Sequence, residues 1–243
     1  MAGSGRLLGI GVGPGDPELV TLKAARLIGE AALVAYFARR GGTGHARAIA
    51  AGHIRAGQAE FPMHYPVTVE VPVSDPEYGR LISAFYDDVA ARIAAKLDEG
   101  GDVAILCEGD PFFYGSFMHL YHRLADRYET AIVPGVTGMS GCWTASRAPI
   151  TYGDDTLVVL PGTLDEAALS ARLAGADAAV IMKLGRNFPK VRRVLEAAGL
   201  ADRAIYVERG TMADQRVMAL RDKADDAAPY FSIVLLPGRG RRL

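Results

Sequence analysis

An apolar run beginning at Leu7 is interrupted by Gly11-Val12-Gly13-Pro14-Gly15-Asp16-Pro17 and followed at once by a helical pattern. This arrangement constrains the fold more than any other stretch, because it describes a strand that ends in a tight turn and launches a helix. Glycine permits close backbone approach to a ligand or a neighbouring chain segment. Pro14 fixes one dihedral, so the turn is stiff as well as permissive. A dinucleotide fingerprint requires G-x-G-x-x-G and an acidic residue closing the second strand about 20 residues on. Here the second apolar run, Ala32 to Phe37, closes on Tyr36-Phe37 without a carboxylate. The turn therefore reads as a loop for a different cofactor, although such a turn by itself is also an ordinary strand-to-helix connection.

The chain has 243 residues, half of them hydrophobic, which is enough for one large or two small globular domains. Its 27 Lys and Arg nearly cancel 28 Asp and Glu, so no global field attracts a phosphate backbone, and nucleic acid is not an expected partner. The apolar runs are short and carry charges between them, and the first residues lack a basic segment followed by a long apolar one. We therefore expect no membrane span or signal peptide, and a cytoplasmic protein. Cys107 and Cys142 lie far apart with no C-x-x-C pairing, so neither a disulfide framework nor a metal site is expected.

Apolar β-rich runs alternate with helical stretches, the pattern of a parallel α/β architecture. Strands are expected at Leu7 to Val12, Ala32 to Phe37, Gln58 to Met63, Asp102 to Glu108 and Ala131 to Val133. Helices are expected at Glu18 to Glu30, His45 to Ala51, Glu77 to Glu99 and Ser116 to Arg127. The longest carries Leu81, Phe85, Val89, Ile93 and Leu97 at four-residue spacing, an apolar stripe for the sheet. Past a Gly/Ser/Thr-rich segment at Thr137 to Ala148, a second series begins. Its strands are expected at Thr156 to Leu160, Ala178 to Met182, Ala204 to Glu208 and Phe231 to Leu236, with helices near Asp165 to Ala174 and Pro189 to Ala198. We accordingly divide the chain into an N-terminal α/β domain, 1–136, and a C-terminal α/β domain, 137–243.

Glycine-containing loops recur just after these strands, where open α/β sheets bind ligands. With G-x-G-P-G-D-P at Gly11 to Pro17, G-D-P at Gly109 to Pro111, V-P-G-V-T at Val133 to Thr137 and E-R-G-T at Glu208 to Thr211, the chain resembles the tetrapyrrole (precorrin) methylases along essentially its whole length. A narrower resemblance, to the branch that methylates C20 of precorrin-2, rests on Glu60 to Met63, Val180 to Asn187 and Pro229 to Ser232. The resemblance implies an N-terminal, mainly parallel sheet and a C-terminal mixed sheet with flanking helices. It also implies S-adenosylmethionine (SAM) in the cleft between the domains, and a homodimer.

By the same resemblance, Pro14, Gly109, Asp110, Phe113, Thr137, Gly138, Met182 and Gly210 bind the cofactor. Asp110 can accept hydrogen bonds from an amine or hydroxyl, and Thr137 can donate and accept. Gly109 and Gly210 let main-chain groups reach a polar ligand, while Phe113 and Met182 offer apolar, polarizable surface to adenine. Taken singly, Asp110 before Pro111 is equally a turn residue, and Met182 a buried strand residue. Gly138 stands where many relatives have alanine or serine, so any contact it makes is through the main chain. Uroporphyrinogen-methylating relatives carry an acidic residue where this chain has Phe37, so a base at that position is not expected.

Methyl transfer to a tetrapyrrole meso carbon needs no metal and no covalent enzyme intermediate. The acetate and propionate groups of the substrate call for cations, for which Arg39, Arg40, Arg47, Arg147 and Arg186 are the candidates, each also a plausible surface residue. No general base is assigned. His119 and His122 share a helix face, and Glu108, Tyr114 and Tyr206 are further proton handlers to consider. The sequence leaves open a cobalt-containing substrate, a tetrapyrrole-binding module without methylation, and a methylase acting on RNA or protein.

Overall fold

A computed structural model describes residues 3–66 and 75–240. Two compact units divide the chain, Met1–Thr137 and Gly138–Leu243.

The first unit holds five strands, β1 (Leu7–Gly11), β2 (Leu33–Ala38), β3 (Ala59–His64), β4 (Val103–Cys107) and β5 (Thr130–Val133). They lie in the order β3-β2-β4-β1-β5, and every pairing is parallel. β1 and β4 are buried at all five positions, as expected of central parallel strands covered on both faces. Alternation sends Leu7, Val103, Ile105 and Cys107 to one apolar cluster and Leu8, Ile10, Ala104 and Leu106 to the other. The first cluster lies under α3 (Pro76–Asp98) and α4 (Phe117–Leu124), the second under α1 (Leu22–Glu30) and the short α2 (His45–Ile49).

Where the helices depart from expectation, caps and pitch give the reason. The helix expected from Glu18 starts at Leu22, because the Thr21 hydroxyl accepts from Ala24 N at 3.1 Å and caps it there. Residues Pro17–Leu19 form a separate 3₁₀ turn capped by Asp16. In α3, Asp75 accepts from Glu77 N and Pro76 occupies the first turn, so the helix begins one residue before the expected start. Its apolar stripe is not the simple four-residue row. Val89, Ile93 and Leu97 are buried, but Leu81 and Phe85 are only partly covered, and Tyr86, Ala90 and Ala94 join the buried face. A true pitch of 3.6 residues makes a four-residue row drift around the helix.

Both central strands are fastened at their start. The Asp102 carboxylate accepts from Arg6 N at 2.7 Å, Arg6 Nε at 3.1 Å and Arg6 Nη2 at 2.6 Å. The guanidinium holds the Asp102 carboxyl below its usual range, with burial opposing. A depressed carboxyl stabilises the fold above the unfolded-state pKa, and that contribution is lost as pH falls through the folded-state value. Because the pair is largely open to solvent, its worth is at most about 1 kcal/mol. We expect Asp102→Asn to be less stable than wild type at neutral pH, with the difference vanishing once acid protonates Asp102. Unfolding midpoints across an acid titration test this, and a difference independent of pH would reject it.

The second unit carries β6 (Leu157–Pro161), β7 (Ala178–Met182), β8 (Ile205–Glu208), β9 (Arg216–Ala219) and β10 (Ser232–Leu236), with α5 (Gly138–Ala145), α6 (Glu166–Leu173) and α7 (Phe188–Ala197). Its order is β6-β7-β10-β8-β9. β6 and β7 are parallel, while β10 runs antiparallel between β7 and β8, and β9 is an antiparallel edge. The sheet is therefore mixed. β9 is not among the expected strands, being four residues long and polar at its start. One apolar cluster packs under α6 and α7 around Phe188 and Tyr206, and the other under α5 around Cys142, Val180 and Val207.

Candidate functional site

The parallel sheet reverses its winding between β1 and β4. The connection after β1 leads toward β2, while the one after β4 leads to the other side, to β5. In an open α/β sheet this crevice, at the carboxyl ends of the strands, is where ligands bind.

Three sequence-identified loops meet at that crevice. The loop after β1 pairs with the loop after β4 through an isolated antiparallel bridge, Gly109 N donating to Gly13 O at 2.8 Å. The backbone after β5 packs against both. A Cβ on Gly11 would lie 2.6 Å from both Gly109 O and Gly135 N, and one on Gly135 would overlap the Gly109 carbonyl oxygen. Gly11 and Gly135 thus pack main chain on main chain against each other and against Gly109, leaving no room for a side chain at either.

The Asp110 carboxylate finishes this arrangement. Oδ1 accepts from Phe112 N at 2.9 Å, and Oδ2 accepts from Gly135 N at 3.2 Å. Each of its oxygens thus meets one backbone donor, which makes the carboxylate a tie between two loops and leaves it further lone pairs for a ligand. Beyond it the loop turns outward. Phe112 and Tyr114 are exposed, Phe113 is half-buried, and the Phe113 and Tyr114 rings meet edge to face at 5.0 Å. Tyr114 has φ 55°, in the left-handed region.

Three more non-glycine residues in this region, Lys183 (φ 57°), Arg209 (φ 48°) and Thr211 (φ 72°), lie in the loops after β7 and β8. Such conformations cost about 1–3 kcal/mol each and persist where surrounding structure enforces them, often at ligand sites. The Arg209 turn is held by Arg209 N donating to Phe231 O at 2.8 Å and Thr211 N to Gln215 Oε1 at 3.0 Å.

The remaining expected residues are distributed as follows. Pro14 is buried, Thr137 is half-buried, and Gly138 opens α5 at a position where a Cβ would meet nothing within 4 Å. Met182 closes β7, partly exposed, against the cluster under α5. Gly210 packs on Cys142, where a Cβ would come within 2.8 Å of Sγ. Burial pushes the Cys142 thiol up to about 11, the Gly210 N–H opposing, so this cysteine is an inert packing partner.

Among the expected substrate cations, Arg47 is already engaged. Its Nε and Nη2 donate to Glu60 at 2.9 and 3.0 Å, a complete fork on a protein carboxylate. Arg39, Arg40, Arg147 and Arg186 are exposed and in no ion pair among the described residues. Arg147 too has a left-handed backbone, φ 54°.

Two polar arrangements are missing from the sequence reading. Tyr206 donates to Glu208 Oε1 at 2.8 Å on the buried face of β8, which holds the Tyr206 hydroxyl well above its usual range, burial being the larger cause. Strand alternation places these residues on one face and could have signalled the pair. Glu108 Oε1 accepts from Ala46 N at 3.1 Å, capping α2 from 62 residues away, and no local pattern announces that. His119 is exposed on α4 with its ring 4.4 Å from that of Tyr86, and the protein packed against it, with Arg123 and His122 adding to the effect, lowers its pKa.

Residues 6–225 match the family described as Tetrapyrrole (Corrin/Porphyrin) Methylases. This chain belongs to that family. The methylase is 53% identical over 236 residues to the precorrin-2 C(20)-methyltransferase of Sinorhizobium sp, covering 97% of this chain and 96% of that protein. Among solved structures, the cobalt precorrin-4 methyltransferase CbiF superimposes with a TM-score of 0.71 at 20% identity, over 96% of this chain and 94% of the other. Uroporphyrin-III C-methyl transferase from Thermus thermophilus, solved with S-adenyl homocysteine, gives 0.66 at 22%, over 95% and 97%. At those identities the structures establish the shared fold.

Proposed function

We propose that this methylase transfers the methyl group of SAM to C20 of metal-free precorrin-2, giving precorrin-3A on the route to cobalamin. The observation that carries the reading is the end-to-end likeness to a precorrin-2 C(20)-methyltransferase, in a chain whose glycine loops converge at the switch point of the parallel sheet.

The loops suit a cationic sulfonium in their chemistry. Residues 11–16, 109–115 and 133–137 contain Asp16 and Asp110 and no lysine, arginine or histidine, and they present aromatic rings at Phe112 and Tyr114. In this reading Pro14, Gly109, Phe113 and Thr137 of the first unit and Gly138, Met182 and Gly210 of the second contact the cofactor. Asp110 both ties these loops together and contacts the cofactor through its remaining lone pairs. Bound SAM supplies an electrophilic methyl group. The chain's own part is to hold donor and acceptor in line, and orientation of this kind can supply about 7–11 kcal/mol of the barrier. Arg39, Arg40, Arg47, Arg147 and Arg186 are the cations for the substrate carboxylates, Arg47 offering the guanidinium edge that Glu60 does not hold. We further propose a homodimer acting in the cytoplasm, a reading supported by the family resemblance.

The test is carbon-13 NMR of the product formed with methyl-labelled SAM, run separately on metal-free and cobalt-containing precorrin-2. We expect label at C20 and faster turnover of the metal-free acceptor. Label at another carbon would reject the regiochemistry, C20 labelling of the cobalt compound alone would reject the metal-free preference, and the lack of any labelled product would reject methylation.

A further inference from the structure

Two carboxylates flank Gly109, and the fold uses them differently. Asp110 has both oxygens on backbone donors, Phe112 N and Gly135 N. Glu108 has one oxygen so used, Oε1 on Ala46 N, which fixes the orientation of the carboxylate and leaves Oε2 with no hydrogen-bond donor from another of the described residues. No lysine or arginine forms an ion pair with it among the described residues. Glu108 immediately follows β4, the strand beside the switch point, and its backbone adjoins the Gly13–Gly109 bridge. The β2–β4 register, Tyr36 opposite Leu106, places it level with Ala38, where the chain leaves β2 for the segment bearing Arg39 and Arg40. An oriented, half-engaged carboxylate thus stands at the carboxyl edge of the sheet, between the cofactor loops and two of the candidate substrate cations.

We propose that Glu108 is the general base that takes up the proton leaving C20. This rests on the C20-methyl transfer proposed above. That reaction replaces a C–H bond with a C–CH₃ bond, so a proton must go somewhere. The meso carbon forms its new bond with a π pair of the macrocycle, while the pair of the broken sulfur–methyl bond stays on sulfur. The C20–H bond then breaks, its pair returning to the macrocycle and the proton passing to Oε2 of Glu108.

The surroundings agree with this role. Although the side chain reaches solvent, the protein packed about it raises the Glu108 carboxyl above the usual carboxylate range, with the Ala46 N–H and His45 pulling the other way. Besides His45 on α2, the titratable groups near it are Cys107 and Asp110 on its own strand and loop. A base with a pKa nearer the working pH is a better proton acceptor.

Glu108→Gln separates catalysis from architecture, because its amide oxygen can still accept from Ala46 N. In single turnover at saturating SAM we expect methyl transfer to slow by about 10²–10⁴-fold, the range for losing a general base. Calorimetry should show SAM affinity within about threefold of wild type, so that the loss lies in the chemical step. Wild-type rate should rise with pH as Glu108 ionises and then level off, and this acidic limb should be missing from E108Q. Formate should restore part of the rate to Glu108→Ala. An E108Q rate within about threefold of wild type, persistence of the acidic limb, or equal losses of rate and affinity would each overturn the assignment while leaving the methyltransferase reading in place. Failure of the folded wild-type protein to bind SAM would instead remove that reading, and this role with it.

Discussion

Gly135→Ala should destabilise the first unit by about 3 kcal/mol or more and weaken SAM binding in the fraction that folds. The new methyl group would collide with the Gly109 carbonyl oxygen and lie 2.9 Å from the Gly11 Cα. Both are main-chain atoms anchored in β-structure. A side chain in the way can change rotamer, but here the loop after β5 must move as a whole. Moving it also breaks the Gly135 N–H bond to Asp110, which leaves a carboxylate oxygen without its donor. Gly138→Ala is the matched control, since a Cβ at Gly138 meets nothing within 4 Å. Hydrogen exchange of the β1 and β4 amides reports the opening free energy of this unit directly. Equal protection in the two variants would show that the glycine seam is not a rigid contact.

Phe117→Ala is the second large effect, with an expected loss of about 3–5 kcal/mol, the range for truncating a buried aromatic residue. Phe117 is fully buried on the first turn of α4, directly after the loop that starts at Gly109. Its ring occupies the space a side chain on Gly9 would fill, a Cβ there falling 2.5 Å from the ring edge. It also supports the exposed Phe112 ring, with centroids 6.0 Å apart. Truncation therefore leaves a cavity against β1 and removes the floor of the proposed cofactor loop. A double-mutant cycle identifies the contact. Gly9→Ala alone should be destabilising because the ring is in its way, and much less so when Phe117 is already alanine, a coupling of about 1–3 kcal/mol. Strictly additive effects would mean that Phe117 does not fill the space over Gly9.

Much of this architecture is legible in order along the chain. Ala178–Met182 matches its expected strand at both ends, and most other elements fall within a few residues, because apolar runs bounded by Gly and Pro carry the β signal. The misses have local causes. Thr21 caps α1 and splits an apparently continuous helix, and β9 is too short and polar to stand out. The five left-handed non-glycine residues are invisible for a different reason, since tyrosine, lysine, arginine and threonine have no intrinsic preference for left-handed backbone, and only surrounding contacts put them there.

The sequence by itself determined the kind of layers, the places where strands give way to glycine loops, and the family. Periodicity and turn chemistry are properties of neighbouring residues, and the motifs recur as strings. Tertiary structure alone decided how the candidate residues are used. Asp110 and Glu108 differ in the sequence by one methylene and two positions, yet one ties two loops through Phe112 N and Gly135 N while the other takes a single backbone donor, Ala46 N. Arg47 looks like Arg39 and Arg40 until Glu60 is found beside it. A carboxylate or guanidinium acts on whatever lies within about 3 Å of it, and partners 62, 25 and 13 residues distant are brought to that range only by the packing of the sheet and its helices.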